Sequence, residues 1–434
     1  MAYKDFFAGK RVTLMGLGLL GRGVGDAEFL APLCKEILIT DRKSEQELAP
    51  SLARLKKFSN IRYALGGHKE EDFTGTDMII KAAGVPLDSP YVAVARAAGV
   101  PVYMSTALAA KFAAEAGATV AGVTGTRGKS TVSHLIHHSL NQAGKRAHLG
   151  GNVRGVSTLA MLPDIKSGDI LVLELDSWQL QGFGDLKISP HVAVFTNLLS
   201  DHLNYYKSSP DAYFWDKANI FLNQKTGDRL VVGAQALSRI QKAVSPVAPV
   251  VPPPLPHDWR IKLIGEHNKE NAALAALALR ILGLRDEEVR RGLESFEPIE
   301  GRLQFVREVR GIQIYNDNNA TTPDATAAAL RAFAGKKIVL ITGGSDKALP
   351  LEELVREIEK SAATVVLLPG AGTDKLKANL KAYTEAAGMQ EAVERAFCAG
   401  GEILLMSPAF ASFGLFKNEY DRNDQFLAAI KQLK

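Results

Sequence analysis

The residues best able to do chemistry stand in Gly122-Val-Thr-Gly-Thr-Arg-Gly-Lys-Ser-Thr131. Glycines let a backbone fold tightly around an anion, and the free N–H groups of a helix start point at it. Here Gly125, Thr126, Gly128 and Thr131 form the turn, Lys129 can reach terminal phosphates, and the Ser130 hydroxyl can ligand Mg²⁺. The spacing is not the standard GxxxxGK[ST], because Val123 stands where the first glycine would be and Gly122 comes one residue early. Ala118 to Val123 reads as a buried strand, and Val132, Leu135, Ile136 and Leu140 follow at helical spacing. A nucleoside triphosphate site is expected; a glycine-rich turn with a chance Lys-Ser is the alternative.

Other reactive groups fall near the ends of predicted strands. Glu174 ends the nearly all-apolar run Asp169–Leu175, a buried parallel strand, on the edge where open α/β sheets bind ligands. A carboxylate there needs a partner, and either a Mg²⁺ beside Ser130 or a buried Lys or Arg would serve. The next strand, His191–Leu198, leads through Asn197-Leu-Leu-Ser-Asp to His202, an ordinary histidine or a member of the same edge. Lys217 lies on an apolar helix over about 211–222, either snorkelling or held inside the site. His267, Asn268 and Asn271 open an Ala/Leu-rich helix running to about Leu282, where amides cap or reach a ligand. Asn152, in Gly150-Gly-Asn-Val-Arg-Gly155, can donate to an anionic or uracil-type ligand.

The elements that position these groups read as three α/β units. Lys10–Met15 is a strand before Gly16-Leu-Gly-Leu-Leu-Gly21, and Ile37–Thr40 is a second strand ending at Asp41-Arg42. This is the layout of a dinucleotide fingerprint. It suits an NAD-dependent dehydrogenase, or a nucleotide-sugar whose diphosphate meets Gly18, Leu19 and Leu20 while Asp41 or Arg42 lies near sugar or base. Asp77–Ile80 ends at a second rim loop carrying Gly84, and Val100–Met104 closes the unit, with a boundary near Phe112. The central unit then runs to about 298. Its stretch Ser245–Pro256 holds six prolines and is expected to be a loop or extended connector. Past Glu297-Pro298, strands at 312–315, 337–342, 364–368 and 402–406 alternate with helices, predicting a third unit with its own parallel sheet. The expected domains are 1–112, 113–298 and 299–434: Rossmann-like, P-loop ATPase with a parallel sheet, and Rossmann-like again.

Composition excludes several classes. With 434 residues, roughly two to four domains are expected. A net charge of +5 over this length does not point to nucleic acid. Cys34 and Cys398 make neither a disulfide framework nor a metal cluster. No signal-peptide core or membrane-length apolar run is present, so a cytoplasmic, reduced protein with no membrane partner is expected; a monomer without a nucleic-acid partner is also the expectation.

These residues resemble the Mur ligase family, and within it the branch that adds D-glutamate to UDP-N-acetylmuramoyl-L-alanine. The resemblance covers the whole chain. It rests on Thr-Gly-Thr-Arg-Gly-Lys-Ser-Thr131, Glu174-Leu-Asp-Ser-Trp-Gln179, Asp201-His202, Lys217, His267-Asn-Lys-Glu-Asn271, Gly301-Arg302, Asn316-Asp317, Asp346-Lys347 and Ser407-Pro-Ala-Phe-Ala-Ser412. It implies an ATP-dependent amide-bond ligase of peptidoglycan precursor synthesis working through an acyl phosphate, with two Mg²⁺ sites. By resemblance, Lys129 and Ser130 hold ATP phosphates and one Mg²⁺ shared with Glu174, His202 ligands the second, and Lys217 is carbamylated. Asn268, Asn271, Arg302 and Asp317 grip ATP, the last two from a third domain expected to swing onto the second. Thr321, Lys347 and Ser412 hold the D-glutamate carboxylates, Tyr420 stands next to Glu419 as a substitute for the Phe usual there, and Asn152 and Gln179 contact the UDP-sugar portion. The sequence departs from the family pattern at Asp176 and Trp178 (usually Ser and Phe), at Leu203-Asn-Tyr-Tyr206, at Asn319 (a lysine) and at Glu419 (a Phe). A folylpolyglutamate synthase-like ligase, another Mur-type ligase and a P-loop ATPase switch are the alternatives.

Overall fold

The computed structural model describes residues 2–19, 21–202, 205–361 and 363–434. Three sheets organise the chain. The first is all parallel, with β1 (Arg11–Met15), β2 (Glu36–Asp41), β3 (Ile61–Leu65), β4 (Met78–Lys81) and β5 (Val102–Tyr103) in the order β3-β2-β1-β4-β5. Val12, Leu14, Ile37, Ile39, Ile79 and Ile80 are buried on both faces, as strands sandwiched between helix layers must be. The chain reverses direction of winding between β1 and β4, which opens a crevice beyond their C-terminal ends. There the two rim loops touch: a Cβ on Gly16, whose φ is +91°, would lie 3.0 Å from the Ala82 Cβ.

The second sheet is also parallel, in the order β11-β10-β9-β6-β8-β7. Its strands are β6 (Thr119–Thr124), β7 (Ala147–Gly151), β8 (Ile170–Glu174), β9 (Val192–Phe195), β10 (Arg229–Val232) and β11 (Pro249–Val250). The proline-rich connector thus contributes a two-residue edge strand, the place in a sheet where proline is tolerated. The strand expected to reach Leu198 stops at Phe195. Thr196 and Asn197 leave the ladder to bond the glycine-rich loop, where the Asn197 carbonyl accepts from Thr126 N–H at 2.9 Å and its Oδ1 from Arg127 N–H at 2.8 Å. The helix expected to Leu222 ends at Ala218. One core runs from Val12 and Phe7 through the helix Ser105–Glu115 to Leu173 and Val232, so the first two sheets share it.

The third sheet takes the order β12-β13-β17-β14-β15-β16, formed by β12 (Gln304–Val309), β13 (Ile312–Asn316), β14 (Ile338–Thr342), β15 (Thr364–Leu367), β16 (Thr384–Glu385) and β17 (Ile403–Met406). It is not wholly parallel as expected: β12 pairs antiparallel with β13 through the two-residue turn Arg310-Gly311, both at positive φ. That is the geometry of a tight hairpin. The strand escaped the sequence reading because it is a half-exposed edge without a clean alternation. The chain divides into two compact units, Met1–Trp259 with Asn271–Glu294, and Arg260–Glu270 with Ser295–Lys434.

Candidate active site

In the first unit the loop between β6 and the helix Lys129–Gln142 is built for close approach. Gly128 N-caps the helix at φ +84°, and a Cβ on Gly125 would fall 1.9 Å from Thr196 Oγ1. A Cβ on Gly128 would meet Asn271 Oδ1 at 2.2 Å, so Asn271 lies against the loop. Lys129 Nζ donates to the carbonyls of Gly125 and Thr126, each at 3.1 Å, which folds its ammonium over the turn. Thr126 Oγ1 donates to Leu199 O at 3.1 Å and accepts from Leu199 N–H at 2.8 Å, while Ser130 and Thr131 are buried in the first helical turn.

Neighbouring strand ends bring the other candidates to this edge. Glu174 sits in register with Val123, the residue before Thr124, and is 5% exposed. Its carboxylate receives one long hydrogen bond, from Asn152 Nδ2 at 3.5 Å, and no Lys or Arg pairs with it among the described residues. The buried-ion-pair alternative therefore fails. Lys217 Nζ donates to Gly125 O at 2.8 Å and lies 4.7 Å from the centroid of the Tyr213 ring. Burial, with the Lys129 ammonium adding repulsion, holds its amine well below the usual lysine range. That supports an inward-held amine over a snorkelling one. His202, at φ +54°, follows Asp201, whose Oδ2 accepts from Arg127 at 2.7 Å and stands 4.0 Å from His202 Nε2. Hard oxygen ligands and an unpaired buried carboxylate fit a divalent cation. Among the described residues no group of three His, Cys, Asp or Glu side chains could hold such an ion by itself.

At the first sheet's crevice, Asp41 accepts from the N–H groups of Leu17 at 2.8 Å and Gly18 at 3.1 Å. It braces the glycine turn, with Arg42 and Leu19 exposed beside it and Gly84 exposed on the opposite loop. Leu20, expected at the diphosphate, lies outside the described residues, as do Leu203 and Asn204. Gln179 is buried with its amide engaged. It accepts from Asp176 N–H at 3.3 Å in a capping box and donates to Thr106 Oγ1 at 3.1 Å.

In the second unit, β13, β17 and β14 are neighbours, so their rim loops stand side by side. Lys347 Nζ donates to Thr321 Oγ1 at 3.1 Å, and Ser412 is buried on the loop after β17. Asn319, in place of a lysine, donates to Glu300 O at 3.3 Å. Asn268 donates to Ile264 O at 2.8 Å, and Tyr420 lies half-buried on the helix Glu419–Gln432. The Asp317 carboxylate accepts from Leu303 N–H at 3.1 Å and the Ser407 hydroxyl at 2.8 Å, yet burial pushes it up to about 7. Unfolded, it loses its proton near about 3.9. Between those values the folded chain binds more protons, so this group's contribution to stability falls as pH rises. The stability difference between wild type and Asp317→Asn, from denaturant unfolding, should shift toward the variant between about pH 4 and pH 7. A difference that ignores pH would mean a carboxyl ionised throughout.

Arg422 escaped the sequence reading, since one Arg in a polar helix looks like a solvated face. It is fully buried, with Nε donating to Asn318 Oδ1 at 2.8 Å, Nη2 to Asn318 O at 2.9 Å and Nη1 to Phe410 O at 3.0 Å. It therefore ties the loop bearing Thr321 to the loop bearing Ser412. Arg422→Met should cost about 2–4 kcal/mol in denaturant unfolding by orphaning three acceptors. Arg422→Lys should recover little of that, because an ammonium lacks the planar fork. Full stability in either variant would contradict this role.

Known proteins match along the whole chain. Residues 10–104 match the Mur ligase MurD-like N-terminal domain, 123–251 the Mur ligase middle domain, and 301–410 the Mur ligase glutamate ligase domain. The UDP-N-acetylmuramoylalanine–D-glutamate ligase of Roseiflexus sp. is 34% identical over 98% of this chain and 99% of its own. That of Geobacillus kaustophilus is 32% identical over 99% of each. Among solved structures, the UDP-N-acetylmuramate-alanine ligase of Thermotoga maritima overlays with a TM-score of 0.63 at 18% identity, covering 98% of this chain and 100% of that one. The MurF ligase of the same organism, in complex with ADP, overlays at 0.61 and 17% identity over 92% and 95%. With three domain matches in order and full-length relatives above 30% identity, the chain belongs to the Mur ligase family.

Proposed function

We propose that the protein is the ATP-dependent ligase that joins D-glutamate to UDP-N-acetylmuramoyl-L-alanine in cytoplasmic peptidoglycan precursor synthesis, acting as a monomer. The observation that carries this reading is the convergence of the Gly125–Thr131 loop, the unpaired Glu174 carboxylate and the buried Lys217 amine at one sheet edge. The activity for which the relatives are named supports it.

The chemistry begins from repulsion between anions, so fixed donors matter more than covalent groups. The loop N–H groups and the Lys129 ammonium hold the ATP phosphates while the γ-phosphoryl passes to the substrate carboxylate, giving an acyl phosphate. The D-glutamate amine attacks that carbonyl, and inorganic phosphate leaves as the amide forms. Two Mg²⁺ ions, one held by Ser130 and Glu174 and one by His202, would neutralise phosphate charge. Lys217, as its carbamate, would present anionic oxygens near the second. Thr321, Lys347 and Ser412 orient the amino acid, and Arg302, Asn268, Asn271 and Asp317 grip ATP. The glycine turn, Asp41, Arg42 and Gly84 hold the uridine nucleotide.

Phosphate release by purified protein should require UDP-N-acetylmuramoyl-L-alanine and D-glutamate together. Hydrolysis of ATP needing neither would favour a switch instead. Domain closure should accompany ligand binding, because amine and ATP are held by different domains. Small-angle scattering profiles that coincide with and without ligands would count against it.

A further inference from the structure

Two buried polar atoms beside the proposed reaction centre lack a hydrogen-bond partner among the described residues: the Trp178 indole Nε1 and the Gln181 carbonyl Oε1. Three residues apart on the helix Ser177–Asp185, they share a face. Both side chains meet Tyr205. The Trp178 ring centroid lies 5.1 Å from its ring, and Gln181 Nε2 donates to its hydroxyl at 3.2 Å. Trp178 also lies 4.8 Å from the His202 ring, and its helix starts three residues after Glu174. The other two orphaned atoms lie elsewhere: Ser139 packs behind the sheet against Gly292, and Gln224 sits at the strand starts beside Pro190 and Arg229.

A buried donor or acceptor left unmade costs free energy, so a native fold keeps one mainly where something else completes it. The indole can only donate and the free glutamine oxygen can only accept. Together they complement an amide, whose C=O takes the indole proton while its N–H meets the glutamine oxygen. A carboxylate or phosphate would satisfy Trp178 but set its lone pairs against Gln181 Oε1. Trp178 is also one of this chain's departures, and the phenylalanine expected there has no N–H to give.

We propose that Trp178 and Gln181 grip the amide next to the reacting carboxylate of the acyl acceptor, the one joining the lactoyl group to L-alanine. The pair then selects a peptide-bearing acceptor and fixes the carboxylate one carbon further on against the phosphoryl donor. This rests on the ligase reading above.

Trp178→Phe retains an aromatic ring facing His202 and Tyr205 while removing the N–H along with part of the indole's contact area. Its KM for UDP-N-acetylmuramoyl-L-alanine should rise roughly three- to tenfold, the worth of one neutral hydrogen bond, with the KM values for ATP and D-glutamate unchanged. In wild type, an acceptor with an ester in place of that amide should bind more weakly by a similar factor, because Gln181 Oε1 loses its donor. The chain has three tryptophans, Trp178, Trp215 and Trp259, so the ¹⁵N-indole spectrum is simple. The resonance missing in Trp178→Phe should move on adding the acyl acceptor alone and stay put on adding ATP alone. An unchanged acceptor KM with an immobile resonance, in protein whose wild type makes the amide, overturns the proposal. So does a resonance that moves on ATP alone, which would assign the donor to phosphate. A wild-type protein that makes no amide from these substrates fails at the parent reading, and this proposal falls with it.

Discussion

Lys129→Ala should lower acyl-phosphate formation by at least about a thousandfold while UDP-substrate affinity stays within a few-fold. The ammonium rests on the Gly125 and Thr126 carbonyls, over the loop where the β- and γ-phosphates are proposed to lie. Charge develops on those oxygens during transfer, so the lost interaction acts on the transition state more than on ground-state binding. The glycine turn proposed to hold the nucleotide-sugar belongs to a different sheet, braced by Asp41 through Leu17 and Gly18, and the substitution does not touch it. Calorimetry with the UDP-substrate and rapid-quench detection of the acyl phosphate separate the two effects. Equal losses in both would mean that the variant has disturbed the fold and not only the phosphate site.

Lys217→Ala should lose about a hundredfold or more of turnover, the scale of removing one preorganised electrostatic group. Its amine is enclosed by Thr124, Gly125 and Tyr213, and burial together with the Lys129 charge holds it well below the ordinary lysine range. Only the neutral amine adds CO₂, so the depressed value favours carbamate formation, and more of it forms as pH rises through that value. Wild-type activity should fall on rigorous CO₂ removal and return with bicarbonate, whereas bicarbonate should do nothing for the alanine variant. Lys217→Met, which fills the space without the charge, should be similarly inactive with a melting temperature within a few degrees of wild type. Undiminished turnover in either variant would reduce the lysine to packing.

Much of this was legible before any fold was known, wherever the meaning of a residue is local. The glycine-rich turn, its lysine and its serine announce an anion site because backbone freedom, helix-start N–H groups and a cation are properties of consecutive residues. The apolar strand ending in Glu174 likewise carried its own contradiction, a charge in a dry setting, and with it the demand for a partner. The alternation of strands and helices gave three α/β units. The antiparallel β12 was missed because a half-exposed edge strand lacks the alternation that reveals strands. Whether Glu174 meets a buried cation and whether Lys217 turns inward depended on what lay across the sheet edge, an Asn152 amide in one case and the Gly125 carbonyl in the other. Arg422 and the Trp178–Gln181 pair belong wholly to the tertiary structure. Hydrogen bonding that is complete, or pointedly incomplete, is a relation among residues about a hundred positions apart or across a packed helix face, and no stretch of sequence contains it.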